Sequence, residues 1–207
     1  MSKSILQKEA DTQYGIVNLL KERWSPRSFS DQPISSNEIH ALLEAGRWAP
    51  SSNNLQPWSI VWGVKGSETY DRLFNCLDEF NQSWADNAPL LMITAYNTKK
   101  PDGKDSFHAL HDVGLFSMSM TVQAQSMGIA VHQMAGVKHQ EAKKEFNFPE
   151  DYHVATAIAM GYYPEEIDGL EGDLLKTEKN PERKRKLQNE FAFNGNFIDR
   201  AELNDDY

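Results

Sequence analysis

The chain has one cysteine, Cys76, in 207 residues. An internal disulfide is therefore impossible, which suits a reducing compartment, and the fold has to rest on its apolar core. A chain of this length buries enough surface to do so without staples. Basic residues are also scarce: 21 Lys and Arg stand against 30 Asp and Glu, a formal charge of -9. Nucleic acid and anionic membrane surfaces are poor partners for such a chain, and neither is expected. No two glycines stand two residues apart, so the G-x-G-x-x-G fingerprint is missing, as is the G-x-x-x-x-G-K-[ST] phosphate loop. Residues 1–10 are polar and lack an apolar core of signal-peptide length, so the expected location is cytoplasmic.

Charge is missing altogether from residues 113–137. A membrane span needs roughly 20 mostly apolar residues. Here Ser117, Ser119, Gln123, Gln125, Ser126, His132 and Gln133 interrupt the run. It reads instead as a buried central helix, with a face available to another subunit.

What is present sorts into helices and short apolar strands. Ile16, Leu19 and Leu20 follow helical spacing up to a stop at Pro26. Ser35 with Glu38 fits a capping box, and Ile34 with Ile39 fits a hydrophobic staple. Ile39, Leu42, Leu43 and Gly46 share one face of the helix so begun, and Gly46 predicts close packing. Trp58–Val64 and Leu90–Tyr96 read as buried strands. Tyr70, Leu73, Phe74 and Leu77 predict a helix over residues 67–81, with Asn81, Gln82 and Trp84 in the linker beyond it. Cys76 beside that stripe is core filler rather than a nucleophile.

A long helix is expected over residues 106–127, closed by Gly128, then an apolar-to-small connection from Ile129 to Gly136. A short helix over residues 138–146 and a third strand, Val154–Met160, follow, and residues 163–182 read as an exposed loop. His108, His111 and Asp112 have no Glu or Cys at a recognised ligand spacing, so no metal is expected. Phe191, Phe193 and Phe197 alternate as in a strand, which implies a tail that covers a surface.

Three polar clusters remain. The turn Arg23-Trp24-Ser25-Pro26-Arg27-Ser28-Phe29 carries two guanidiniums and two hydroxyls. The loop from Pro50 to Trp58 carries Ser51, Ser52, Asn53, Asn54 and Gln56 between two prolines. Arg183-Lys184-Arg185-Lys186 is a run of four cations in an acidic chain. Arginines suit bidentate phosphate recognition. The uncharged loop suits the polar edge of a flat heteroaromatic ring or sugar hydroxyls. A phosphate on a polyol chain joined to such a ring is a flavin mononucleotide, FMN.

The same residues resemble a known family. Arg23-x-Ser25-x-Arg27-x-Phe29 is similar to the R-R-S-x-R-x-F opening of the nitroreductase family of FMN-dependent oxidoreductases. The stretch from Glu44 to Trp58 resembles its long and specific E-A-G-x-x-A-P-S-x-x-N-x-Q-P-W block. Weaker echoes cover most of the remaining chain: Asp112 with Gly114, Met127-Gly128, Gly161-Tyr162 and the basic run near the end.

The resemblance implies one α+β domain over residues 1–207, a mostly antiparallel central sheet flanked by helices, with a C-terminal arm from about residue 183 reaching onto a partner subunit. Residue by residue, it implies that Arg23, Trp24, Ser25 and Arg27 hold the FMN, with Arg183 and Arg185 completing a phosphate clamp. Pro50, Ser51, Ser52, Asn54 and Gln56 would reach the same flavin from the other subunit of a homodimer. The backbone at Met134, Ala135 and Gly136 would face flavin N5 and O4, and Asn81 stands where the family has an asparagine near the pyrimidine. Three departures stand out: Trp24 where Arg or His is usual, His132-Gln133-Met134-Ala135 in place of a C-W-x-G-like turn, and Leu187 in place of a proline.

The activity implied is reduction of a small acceptor, such as a nitroaromatic or quinone, by NAD(P)H in a ping-pong scheme. It needs no side-chain acid, base or nucleophile, because the cofactor carries the redox chemistry. A lid over the flavin is expected near residues 97–108. The alternatives are another flavin chemistry on the same scaffold, such as reductive dehalogenation or dehydrogenation, and a flavin-binding protein without turnover.

Overall fold

Leu90–Asn97 (β2) is apolar almost throughout, a pattern that suits a strand covered on both faces. In the computed structural model, which describes residues 8–197, β2 is buried from Leu90 to Ala95 and pairs on both sides. It runs antiparallel to Trp58–Val64 (β1) and to Tyr152–Tyr162 (β4), and β4 pairs antiparallel with Ile129–Met134 (β3). The order β1-β2-β4-β3 gives an α+β fold built on an antiparallel sheet.

Side chains alternate across this sheet. Leu91, Ile93 and Ala95 join Ala157 and Ala159 on one face. Leu90 and Met92 join Ile158 and Met160 on the other. Thr94 pairs with Thr156 and Ala95 with Val154, so Ala155 is an extra residue in β4. That bulge turns Val154 back toward the first face.

The second face is covered by Ser36–Arg47 (α2) and Ala109–Ser126 (α5). The predicted capping box forms at Ser35 and Glu38, and Ile34 and Ile39 are both buried. Gly46 packs against the Phe116 ring; a Cβ there would lie 2.5 Å from it. Only glycine lets the two helices approach so closely. Met127 ends α5, and Gly128 follows in the left-handed region at φ 73°. The first face is covered by Glu68–Asn75 (α3), Glu79–Ala85 (α4), His139–Glu145 (α6) and Gly172–Lys179 (α7).

Several expectations are corrected. The helix over residues 67–81 is two helices, because Leu77 forms a bridge with Val137 and Asp78 N–H donates to Gly136 O at 3.0 Å. Asp78 then caps α4 by accepting from Asn81 N–H at 2.8 Å, so Asn81, Gln82 and Trp84 are helical rather than linker. Ile129–Met134 is an edge strand, not a connection; an apolar run of six residues does not distinguish the two. The loop over 163–182 contains α7, whose Glu178 is buried. Ile16 and Leu20 flank and occupy Asn18–Glu22 (α1), which packs against α5, yet both remain exposed.

The tail makes a 3-10 turn at Gln188–Glu190 rather than a strand, and the Phe193 and Phe197 rings lie 5.0 Å apart. Residues 1–7 of the polar N-terminal stretch and residues 198–207 of the expected arm lie outside the described residues. Among the described residues, no helix is long and apolar enough to cross a membrane.

Candidate functional site

The turn Arg23–Phe29 leaves α1 and is held from five distant places. Glu178 of α7, 1% exposed, accepts from the backbone N–H of Arg27 at 2.8 Å and of Ser28 at 3.2 Å. Asn87 accepts from Phe29 N–H at 3.0 Å and donates to Arg27 O at 2.8 Å. Ser28 Oγ donates to Asp168 O at 3.0 Å. His132 Nδ1 donates to Pro26 O at 2.8 Å, since a carbonyl can only accept. Ser30 N–H donates to Tyr162 O at 2.9 Å, fixing the end of the turn to β4.

These bonds hold the backbone and leave the guanidiniums uncommitted. Among the described residues, the buried Nε atoms of Arg23 and Arg27 have no hydrogen-bond partner, and neither does Trp84 Nε1. A buried donor without an acceptor costs roughly 1–3 kcal/mol, more when charged. Burial disfavours charge on Arg23 and shifts its pKa down. Arg183 feels the same burial, reinforced by Arg23 and Arg185, and its Nη1 donates to Lys8 O at 2.8 Å and Lys21 O at 2.7 Å. Arg23, Arg183 and Arg185 thus lie close enough to disfavour one another's charge.

A cavity of about 300 Å³ opens onto them. Six cationic side chains, those of Lys8, Arg23, Arg27, Arg183, Lys184 and Arg185, line it against the carboxylates of Glu178 and Glu182. Ser25 and Trp24 also line it. Trp24 is itself packed, with Lys8 Nζ 4.1 Å from its ring centroid and Tyr163 at 6.1 Å, so a contact with a ligand falls to its backbone. Arg23, Arg183, Lys184 and Arg185 also border a larger cavity of about 700 Å³, whose apolar walls include Tyr14, Leu20, Met118 and Leu187.

From Arg27 the site continues along α4. The Arg27 guanidinium carbon lies 5.9 Å from both the Phe80 and the Trp84 rings. One turn along, Asn81 Nδ2 donates to Gly136 O at 3.1 Å. A Cβ on Gly136 would run into the Asp78 carboxylate and the Asn81 amide, so this position requires glycine. Ala135 is exposed beside it, while Met134 is buried in the first-face core. The Trp84 and His132 rings are 4.6 Å apart, and burial lowers the His132 pKa from 6.5 to about 4, leaving the imidazole neutral. The expected residues of the turn, the basic run and the end of β3 thus form one strip.

The Pro50–Gln56 loop is elsewhere. It enters β1, one edge of the sheet, whereas His132 and Pro26 sit at β3, the opposite edge. Three strand spacings separate those edges, about 14 Å. The two cavities that the arginines line include no residue of the loop, and the cavity beside the loop includes no arginine. Asn53, Asn54 and Gln56 all adopt left-handed backbone conformations, at φ 51°, 56° and 48°. Such geometry persists only where the surroundings enforce it. Ser52 N–H donates to Asp112 Oδ2 at 3.1 Å, Gln56 N–H to Ser51 Oγ at 3.0 Å, and Gln56 Nε2 to Asn54 Oδ1 at 3.1 Å. Pro50, Asn54 and Gln56 are exposed.

Sequence reasoning missed Glu178, Asn87 and Lys8, and met Asp112 as a rejected metal candidate and as the Asp112–Gly114 echo, not as a tie to the loop. Asp112 is 1% exposed and engaged with Ser52, and His111 Nδ1 lies 3.4 Å from it. A signal for α7 existed in Leu174, Leu175 and Glu178 at helical spacing, within a stretch otherwise polar enough to pass for loop.

The chain is similar to several known proteins. The Nitroreductase family model matches residues 20–79 and 64–162. A Streptomyces coelicolor protein named as an NADH dehydrogenase/NAD(P)H nitroreductase is 25% identical over 159 residues, covering 65% of this chain and 76% of the relative. An NADPH-dependent oxidoreductase of Staphylococcus epidermidis is 25% identical over 173 residues, covering 74% of this chain and 67% of the relative. The crystal structure of an oxidoreductase containing FMN superposes with a TM-score of 0.84 at 30% identity, covering 91% of this chain and 96% of that one. With its specific Glu44–Trp58 block, antiparallel sheet and matched residues, the chain belongs to the nitroreductase family.

Proposed function

We propose that this protein is an FMN-dependent NAD(P)H oxidoreductase that reduces small acceptors such as nitroaromatics and quinones, with its two sites completed across a homodimer. The observation that carries the reading is the pair of buried, unpartnered Nε atoms on Arg23 and Arg27, in a cavity shared with Arg183 and Arg185. Such donors suit a phosphate, whose oxygens accept charge-assisted bonds in the plane of a guanidinium. Bound FMN would supply the redox chemistry, taking hydride from NAD(P)H and passing electrons to the acceptor over one shared face.

The chain's own residues would bind and orient the cofactor. Arg23, Arg183 and Arg185 would hold the phosphate, with Ser25 and the Trp24 backbone beside it. Arg27 would reach further along, toward the strip formed by α4 and Gly136. The N–H groups near Ala135 and Gly136 would meet the ring edge, and the Asp78 and Asn81 packing that excludes a Cβ there would keep that edge of the chain rigid.

The loop residues Pro50, Ser51, Ser52, Asn54 and Gln56 belong to the partner's site in this reading. Their separation from the arginines by the width of the sheet supports this, as does their left-handed backbone with few restraints within one chain. Exposed apolar side chains at Trp48, Phe107, Leu110, Met118 and Leu20 supply surface for the second copy. We take the whole chain as one FMN-binding unit, with residues from 183 onward as its arm.

The test is anaerobic mixing of the purified protein with NADH or NADPH. A yellow protein that bleaches and regains its colour with a nitroaromatic supports the reading. One that stays oxidised with both nucleotides contradicts the reductase, and a colourless protein that refuses added FMN contradicts the cofactor.

A further inference from the structure

The basic cluster is not the chain's only cationic recess. A second cavity, of about 220 Å³, lies beside the Pro50–Gln56 loop at the far end of β1. Its floor and walls come from Trp58 of β1, Asn97 of β2, Tyr152 of β4 and the hairpin closed by the Lys99–Asp105 bridge. Lys99 and Lys100 both line it, and no carboxylate does. In a chain of net charge -9, a recess of that composition runs against the average surface.

The two lysines differ. Lys99 Nζ is paired with Asp105 Oδ1 at 2.6 Å, which holds the hairpin closed. Lys100 makes no side-chain hydrogen bond or ion pair within the described chain, and its charged neighbour Asp102 is already paired with Lys104 at 3.2 Å. The hydroxyls of Ser106 and Tyr152, two further lining residues, also have no partner among the described residues. Lys100, Ser106 and Tyr152, with one ammonium and two hydroxyls among them, therefore line a recess shared with Trp58, Gln56 and Asn97. That is the donor set of a site for an organic anion on a flat carrier.

The geometry points to this cavity as a subsite for the anionic group, carboxylate or phosphate, of a substrate, with Lys100 as its counter-charge and Ser106 and Tyr152 as hydrogen-bond donors. The inference rests on the proposed function for one step only: the loop that bounds the cavity is the loop assigned to the partner's flavin. The recess therefore opens beside the place where nicotinamide and acceptor would alternate. The anion has two sources in that setting, the 2′-phosphate of NADPH or a carboxylate on the acceptor. A volume near 220 Å³ admits a single substituted ring or one phosphoryl group, not a whole nucleotide.

Calorimetric titration of the purified protein with adenosine 2′-phosphate and with 4-nitrobenzoate, against adenosine and nitrobenzene as neutral controls, reads the site directly. Wild type should bind at least one anion more tightly than its neutral counterpart, and Lys100→Ala should weaken that binding about ten-fold, the loss of one charge-assisted contact. Lys100→Arg should restore most of it. Loss for adenosine 2′-phosphate alone assigns the cavity to the nucleotide, loss for 4-nitrobenzoate alone assigns it to the acceptor, and loss for both assigns the shared anion chemistry. Equal binding by wild type and Lys100→Ala overturns the proposal, whether or not the protein carries FMN. Anion binding lost in Lys100→Ala by a protein that never takes up FMN keeps this site and removes the flavin reading instead.

Discussion

Backbone groups of the turn Arg23–Phe29 that face inward find partners from β3, α4's flank and α7, contributed by His132, Asn87 and Glu178. The loop Ser51–Gln56 has one such tie, from Ser52 to Asp112, and otherwise bonds to itself through Ser51, Asn54 and Gln56. In the turn, the backbone is satisfied and the side-chain donors are left over. In the loop, the backbone is bent into left-handed conformations and the side chains are exposed. One region is held in place by its own chain, with cationic side chains to spare, which is where the proposed phosphate would sit. The other has few ties within its own chain, which is why we assign it to the partner's site.

The largest effect should come from undoing the turn's support. Glu178→Ala leaves the N–H groups of Arg27 and Ser28 buried without an acceptor, a cost of about 2–4 kcal/mol taken over both. Urea unfolding measures it, and a loss below about 1 kcal/mol would mean that water replaces the carboxylate.

Acid should act on the same turn. His132 is held near pKa 4 against an ordinary 6.5, so above 6.5 the folded and unfolded chains are both neutral there and its full stability is present. As pH falls from 6.5 toward 4 the unfolded chain binds the proton first, and up to about 3 kcal/mol of stability is lost. His132→Gln should flatten that part of the pH profile. Parallel profiles for variant and wild type would point to other groups.

The arginines come next. Arg23→Ala or Arg185→Ala should weaken FMN binding by roughly 1.5–3 kcal/mol each, read by fluorescence titration, if each makes a charge-assisted contact. Unchanged affinity removes the residue from the site. The smallest effect belongs to the loop. Asp112→Ala frees Ser52 N–H at a stability cost of about 1 kcal/mol, and should lower FMN retention more than it lowers the unfolding midpoint. The reverse ranking would make Asp112 a purely structural tie.

Much of this was legible in the sequence because it is local. The Ser35–Glu38 box, the close approach at Gly46, the turn's arginines and the proline-bounded loop each declare themselves within a few residues. What was not legible depends on pairing at long range. A helix broken at Leu77 by a bridge to Val137, an edge strand at Ile129–Met134, and a buried Glu178 reaching back to Arg27 all carry local patterns compatible with something else. The alternation at Phe191, Phe193 and Phe197 did not give a strand among the described residues, where a 3-10 turn precedes it and the Phe193 and Phe197 rings pack together. The role of Asp112 was not legible because its partner is a backbone N–H sixty residues away.

The central claim, that the turn and the loop complete one site only across two chains, can be read from mixed dimers. Arg27→Ala and Asn54→Ala chains are prepared separately, each with poor FMN binding, then mixed, exchanged and titrated with FMN. Random pairing puts half the molecules into mixed dimers, each with one intact site, so about a quarter of all sites should regain wild-type affinity. A mixture that binds no better than its separate components would mean that both regions serve the flavin of their own chain, contrary to this account.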